Sequence, residues 1–427
     1  MKPWSLTPKR LSLGTILRVG AGSVIAAFYI GTGDISIATT MGAKFGFSLW
    51  WTYFLLALAG WAIIDMTVRY FLATGRTPMS VFKETHPALS VYMFATVIVC
   101  AMFGAYSQWN ATAMVLTGFW PSIPLEVSGT LAALFAAVCI FLGSYKRLEM
   151  FFVIILIGLL ACFGLAALLA DTDWSAAAAG LIPQAPEGDW MPLFLSNAGS
   201  MINAWLILFY PYTMLEKRWR PAGLQDRVNL LHRVRWDYMW GAIAAGVVAL
   251  PIMATASTVA RPFGMMPGSY MDLAVLLEPF AGPLSMHLFL IGLFAAAWTS
   301  GLAWWICGAY ALLDLFNLPI DMRSKPMRIC IALFFFPSVG LLFLHINPVL
   351  QIILFAGLLA VVFPVIGLAL VWRVSRPDMG YFRWSLGSLR GIRIIVLDVF
   401  AVTLSLIIGW VSLPKALAQL TDFVRAF

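Results

Sequence analysis

Apolar residues gather in long blocks separated by short polar segments, at about 19–43, 47–72, 91–118, 127–143, 150–170, 192–214, 238–260, 284–315, 329–345, 349–372 and 394–413. A helix needs ~20 apolar residues to cross a hydrocarbon core ~30 Å thick, since it rises ~1.5 Å per residue. The pattern therefore predicts eleven transmembrane helices. The polar segments between them are too short to fold alone, so residues 1–427 read as one all-α, polytopic membrane domain.

Composition agrees. Of 427 residues, 62% are hydrophobic and 11% charged, against about 45–50% and about 25% in soluble proteins, which excludes a soluble enzyme. The net charge of +8 points to no nucleic acid, because the basic residues are distributed by membrane side. Placing the N-terminus and every second loop in the cytoplasm puts 23 of the 27 Lys and Arg there. The segment 171–190, with Asp171, Asp173, Glu187 and Asp189 and no basic residue, falls outside. The expected orientation is N-terminus cytoplasmic and C-terminus external, in a bacterial inner membrane. Lys2, Lys9, Arg10 and Arg18 precede a first apolar run that is too long for a signal peptide and lacks a cleavage site, so it reads as a retained helix. Cys100, Cys139, Cys162, Cys307 and Cys330 lie in apolar runs with no CxxC spacing, as packing residues do. No cofactor motif appears.

The first span carries a break, Ile30-Gly31-Thr32-Gly33-Asp34-Ile35-Ser36. Two glycines weaken the helix there, and a carboxylate at mid-depth costs at least ~2.5–3.5 kcal/mol unless it finds a partner. Asp34 either caps the second half-helix or, with exposed carbonyls, binds a cargo at the midplane as secondary transporters do. Span six offers a matching polar run from Ser196 to Trp205, including Asn197, Gly199, Ser200 and Asn203. In an inverted repeat of five plus five helices, spans one and six correspond. The expected repeats run at about 15–175 and 185–375, with an extra helix at 394–413. Gly31 to Asp34 also fits the GxGD pattern of intramembrane aspartyl proteases. The required second aspartate is missing, because Asp65 has Arg69 four residues on and reads as an ion pair near the inner interface.

Beyond Asp34 the core is expected to be nearly free of acids. The basic segment 215–237 reads as an amphipathic element on the cytoplasmic surface. Trp298, Trp304 and Trp305 in span eight read as bundle filling, and His86, His232, His287 and His345 as surface or capping residues. The segments 171–190 and 261–283 flank the outer mouth.

The stretch Tyr29 to Asp34, followed by Gly42-Ala43-Lys44-Phe45-Gly46, resembles span one of the Nramp metal-transporter family. Arg69 with Thr74-Gly75-Arg76, Lys146-Arg147-Leu148-Glu149, Asp173-Trp174, Gly180-Leu181-Ile182-Pro183 and the small-residue run Gly292 to Gly301 keep the family's order. The resemblance implies a leucine-transporter-type fold and a secondary transporter working by alternating access. It implies a cargo site of Gly31, Thr32, Asp34, Ser200 and Asn203, with Asp34 and Asn203 as metal ligands. The family's metal-binding residues are altered: Gly31 replaces an aspartate, Asn203-Ala204-Trp205 replace Met-Pro-His, and Ala356 falls at a glutamine. The proton-path positions read Ala105, Gln108 and Trp205, which do not titrate. The expected cargo is therefore a hard cation such as Mg²⁺ or Mn²⁺, carried with weak or absent proton coupling. A non-metal solute or anion on the same fold is the second expectation, and a protease the third.

Overall fold

The computed structural model describes residues 31–142, 167–169, 172–202, 204–216, 223–264, 283–345, 348–385 and 387–425, together with Leu165 and Trp219. Most of span five, the Lys146–Glu149 segment, the first half of span one, Asn203 and most of 261–283 lie outside this set, as do the side chains of Trp205 and Ala356.

The described chain is built of helices, and these follow the apolar blocks. Span one is seen from Thr32 to Phe45 and span two from Trp51 to Thr74. A short helix, Pro78–Thr85, leads into span three, Pro87–Phe119. Each opens on proline, whose missing N–H costs nothing in the first turn. Span three is further capped by His86, whose Nδ1 accepts the Ala88 N–H at 3.1 Å. Span four is Leu125–Leu142, span seven Leu224–Val259 and span eight Pro283–Leu315. Spans nine, ten and eleven are Lys325–Gly340, Pro348–Val374 and Leu389–Arg425. Seven of the described helices are long and apolar enough to cross a bilayer.

Span six is interrupted as expected. Its first half, Met191–Met201, ends at Ile202, whose ψ of 50° is not helical, and its second half is Ala204–Glu216. An uncovered break of this kind would leave backbone groups unpaired in lipid, so it persists only under cover of the bundle. Leu193, Leu195, Asn197, Ala198 and Met201 are accordingly buried.

Among the described helices, spans three and eight form the most closely joined pair, and the reason lies in two reciprocal glycine–tryptophan contacts. A Cβ on Gly104 would lie 2.5 Å from Trp304, and one on Gly301 would lie 2.7 Å from Trp109. Each helix thus seats its tryptophan over the other's bare backbone, and the Trp109 and Trp305 rings meet at 4.8 Å. Trp298 and Trp305 place their indole N–H groups on Ala132 O (3.0 Å) and Ser338 Oγ (3.3 Å). The span-eight tryptophans fill the bundle. Cys100, Cys139, Cys307 and Cys330 form no disulfide.

Two expectations are corrected. The basic segment 215–237 is no separate surface element from Leu224 onward, because those residues continue the helix of span seven. The core also holds more acids than Asp34: Asp65, Asp314 and Asp398 are all buried. Each is retained because fixed donors surround it. Asp65 accepts Arg69 Nε (2.8 Å), Arg235 Nε (2.6 Å) and Tyr238 Oη (2.7 Å). Arg69 reaches across to Asp398, which also takes the Trp384 indole N–H at 2.7 Å. Asp314 accepts Tyr212 Oη (2.6 Å) and the Met79 N–H (2.9 Å).

Candidate functional site

Gly31 is the N-cap of the described half of span one, and Asp34 is its N3 residue. The first N–H groups of a helix have no partner within it, and an acid at N3 can turn back to satisfy the cap. Asp34 does so: its Oδ2 accepts the Gly31 N–H at 3.1 Å. The other oxygen, Oδ1, accepts the Ser200 hydroxyl at 2.6 Å. Ser200 stands one residue before the end of the first half of span six. A single carboxylate therefore joins the start of the described part of span one to the end of the first half of span six. Capping and cargo binding are not exclusive, since an ionised carboxylate offers about four acceptor positions and two are used.

Span three supplies the next contact. Thr32 donates its hydroxyl to Gln108 Oε1 at 2.7 Å, and the Gln108 amide donates to Ser107 Oγ at 3.3 Å. Gln108 thus lies beside the break as a neutral amide, while Ala105 is fully buried and contributes no polar atom. Of the residues expected in the site, Gly31, Thr32, Asp34, Ser200 and Gln108 come together. Asn203 and the Trp205 side chain lie outside the described residues.

Of the further polar groups around these residues, Asn197 belongs to the polar run read in span six, whereas Tyr53, Ser300 and Gln351 were not singled out by sequence reasoning. Asn197, one turn before Ser200, donates to Thr52 Oγ1 at 2.9 Å, while its carbonyl oxygen has no partner among the described residues. The Tyr53 hydroxyl, fully buried, stands close enough to feel the charge of Asp34 and is also unpartnered among them. Ser300 of span eight lies against Gly31. Gln351 of span ten is buried and accepts Asn110 Nδ2 at 3.4 Å, so that span does carry a glutamine, five residues before the position expected. A lone tyrosine or serine in an apolar run reads as packing, and nothing local singles these residues out. Among the described residues, His, Cys, Asp and Glu nowhere gather in threes.

The far end of span one opens on a cavity of about 480 Å³ lined by Phe45, Phe47, Asp173, Gln184 and Arg261 among others. Phe45 is eleven residues from Asp34, or about 16 Å along the helix. The segment after Asp173 is tied there, with the Trp51 N–H donating to Gly180 O at 2.9 Å. At the opposite end the short helix Pro78–Thr85 is bolted to spans eight and ten: Lys83 Nζ donates to Asp314 O (2.6 Å) and Arg373 Nε pairs with Glu84 (3.0 Å).

Comparison with known proteins agrees with this architecture. The crystal structure of a manganese transporter from Eremococcus coleocola, in complex with an aromatic bis-isothiourea substituted compound, superposes with a TM-score of 0.76 at 16% identity, covering 95% of this chain and 89% of that one. Mhp1, a nucleobase-cation-symport-1 family transporter, superposes with a TM-score of 0.58 at 15% identity, covering 95% of this chain and 93% of that one. The fold is of the leucine-transporter type. In sequence, the divalent metal cation transporter MntH of Acidiphilium cryptum is 23% identical over 367 residues, 84% of this chain and 83% of the relative. That of Chromohalobacter salexigens is 23% identical over 310 residues, 71% of each. The model of the natural resistance-associated macrophage protein-like family matches residues 22–409, and with that match the chain belongs to the Nramp family of membrane transporters.

Proposed function

We propose that the chain carries a divalent metal cation across the membrane by alternating access, with Asp34 as the charged ligand. The observation that carries this reading is the Asp34 carboxylate, shared between the start of the described part of span one and the interruption of span six with two acceptor positions left over. Relatives named as divalent metal cation transporters support the same cargo class. Gly31, Thr32, Ser200 and Asn203 complete the proposed site, with Asn203 as the second metal ligand. The described partners around Asp34 are hydroxyls and amides, a hard donor set suited to Mg²⁺ or to Mn²⁺ bound without strong selection. Transport is weakly coupled or uncoupled to protons, since Gln108 and Ala105 cannot titrate. The N-terminus is cytoplasmic and the C-terminus external, with the basic segments on the cytoplasmic side.

An anionic cargo is disfavoured by the same geometry. The half-helix N-terminus that would hold it is already capped by Asp34, and an incoming anion would meet a like charge. A protease is set aside, because the family is one of transporters.

Uptake by the purified protein in proteoliposomes, across Mg²⁺, Mn²⁺, Ca²⁺ and Cd²⁺ with small anions as the second arm, tests the reading. Accumulation of Mg²⁺ or Mn²⁺ without acidification of the lumen is the expected result. Tight, selective Cd²⁺ binding would overturn the hard-ion assignment and direct attention to the buried thioether of Met201, two residues before Asn203.

A further inference from the structure

Hydroxyls inside these helices have a habit. Ser36, Thr39, Thr40, Thr67 and Ser338 each donate to the carbonyl four residues back, at 2.6 to 3.1 Å, and so spend their hydrogen within their own helix. Thr299 does the same with Ala295 O at 2.8 Å. Ser300, its neighbour, does not. It is 4% exposed, its hydroxyl oxygen is buried, and among the described residues it has no hydrogen-bond partner.

What the hydroxyl faces is Gly31, at the start of the described part of span one. The position a Cβ on Gly31 would occupy lies 3.2 Å from Ser300 Oγ and 3.8 Å from Asp34 Oδ2. The glycine therefore leaves a small cradle with a carboxylate oxygen on one side and a free hydroxyl on the other. An unpaired buried hydroxyl is unfavourable; Ser128 and Ser412 share that state among the described residues, and what sets Ser300 apart is its place beside Gly31 and the Asp34 carboxylate. A polar guest in the cradle removes the penalty, and beside a carboxylate that guest is a cation or a water held by one.

We infer that Ser300 is a contact residue for the cargo cation, directly or through one coordinated water, so that span eight takes part in the site with spans one and six. The inference rests on the divalent-cation reading of the Asp34 site. It also makes Ser300 a selectivity residue: one more hard oxygen on the side away from span six favours Mg²⁺ and Mn²⁺ over thiophilic ions. Gly31 has its part as well, since a side chain there fills the cradle.

The test compares wild type, Ser300→Ala and Ser300→Cys, each purified full-length and monodisperse, by titration with Mg²⁺, Mn²⁺ and Cd²⁺ and by uptake into proteoliposomes. Ser300→Ala is expected to weaken Mg²⁺ and Mn²⁺ binding roughly tenfold, about the value of one polar contact to a charged group. Ser300→Cys keeps the size of the side chain and exchanges oxygen for sulfur. It is expected to shift preference toward Cd²⁺ by roughly tenfold or more, which a serine of structural importance alone would not do. Unchanged affinities in both variants, with wild type binding normally, overturn the assignment and leave the Asp34 reading standing. Wild type that binds no divalent cation overturns both.

Discussion

Asp34 is held from two sides, by the Gly31 N–H and the Ser200 hydroxyl, and neither donor carries a charge. No described basic side chain pairs with this carboxylate, unlike Asp65, which two arginines neutralise. Asp34→Asn retains an oxygen for the cap and removes the charge. Cation binding is expected to weaken by at least about tenfold, one charge-assisted contact, while the thermal midpoint in detergent changes little. Gln108 makes the complementary case. Its carbonyl takes the Thr32 hydroxyl, and Gln108→Glu preserves that acceptor while adding a titratable group beside the break. Cation uptake by this variant is expected to gain proton coupling beyond that of the wild type, read as lumenal acidification with a pH dye. Acidification no greater than in the wild type would remove Gln108 from the proton account.

At the scale of elements, apolar block length and local caps carried most of the prediction. Spans two, three, four, eight and ten appear within a few residues of their blocks, because a run of apolar residues long enough to cross lipid has no other stable form. The interruption of span six was legible for the same local reason, as glycine and polar residues at mid-depth. The extent of span seven was not. Charged residues from Asp226 to Arg235 read as part of a separate amphipathic surface element, yet the helix of span seven runs through them, and Arg235 and Tyr238 bond to Asp65, 170 and 173 residues away in the chain. The joint between spans three and eight was equally hidden, since a glycine shows its partner only after packing. Gly104→Ala puts a methyl group against the Trp304 ring, and overpacking of this kind costs about 1–3 kcal/mol. The thermal midpoint is expected to fall, and Gly104→Ala combined with Trp304→Leu to recover part of the loss by relieving the clash.

Across the whole molecule, the buried aspartates among the described residues divide into two whose carboxylates take neutral donors, Asp34 and Asp314, and two that are ion-paired in one cluster, Asp65 and Asp398. Asp65 with Arg69 was legible as an i,i+4 pair, but the rest of that cluster comes from spans seven and eleven and from the segment at 382–384. Arg69 is its hinge, donating to Asp65, to Asp398 and to Phe382 O (3.3 Å). Removing it leaves Asp65 with Arg235 and Tyr238, and Asp398 with the Trp384 indole alone. A buried charge stripped of its partner costs about 3–5 kcal/mol, whereas exchanging the whole pair for apolar groups is often neutral. Arg69→Met is therefore expected to destabilise strongly, with hydrogen exchange rising in span eleven and at 377–384 before it rises around Asp34. Arg69→Met with Asp398→Leu is expected to regain most of the lost stability, giving a coupling well beyond additivity in a double-mutant cycle. Losses that simply add would mean that span eleven is held by its apolar face instead, and that Arg69 and Asp398 are neighbours without consequence. If the coupling is found while cation affinity at Asp34 stays constant, the cluster anchors span eleven to spans two and seven and leaves the cargo site to the broken helices.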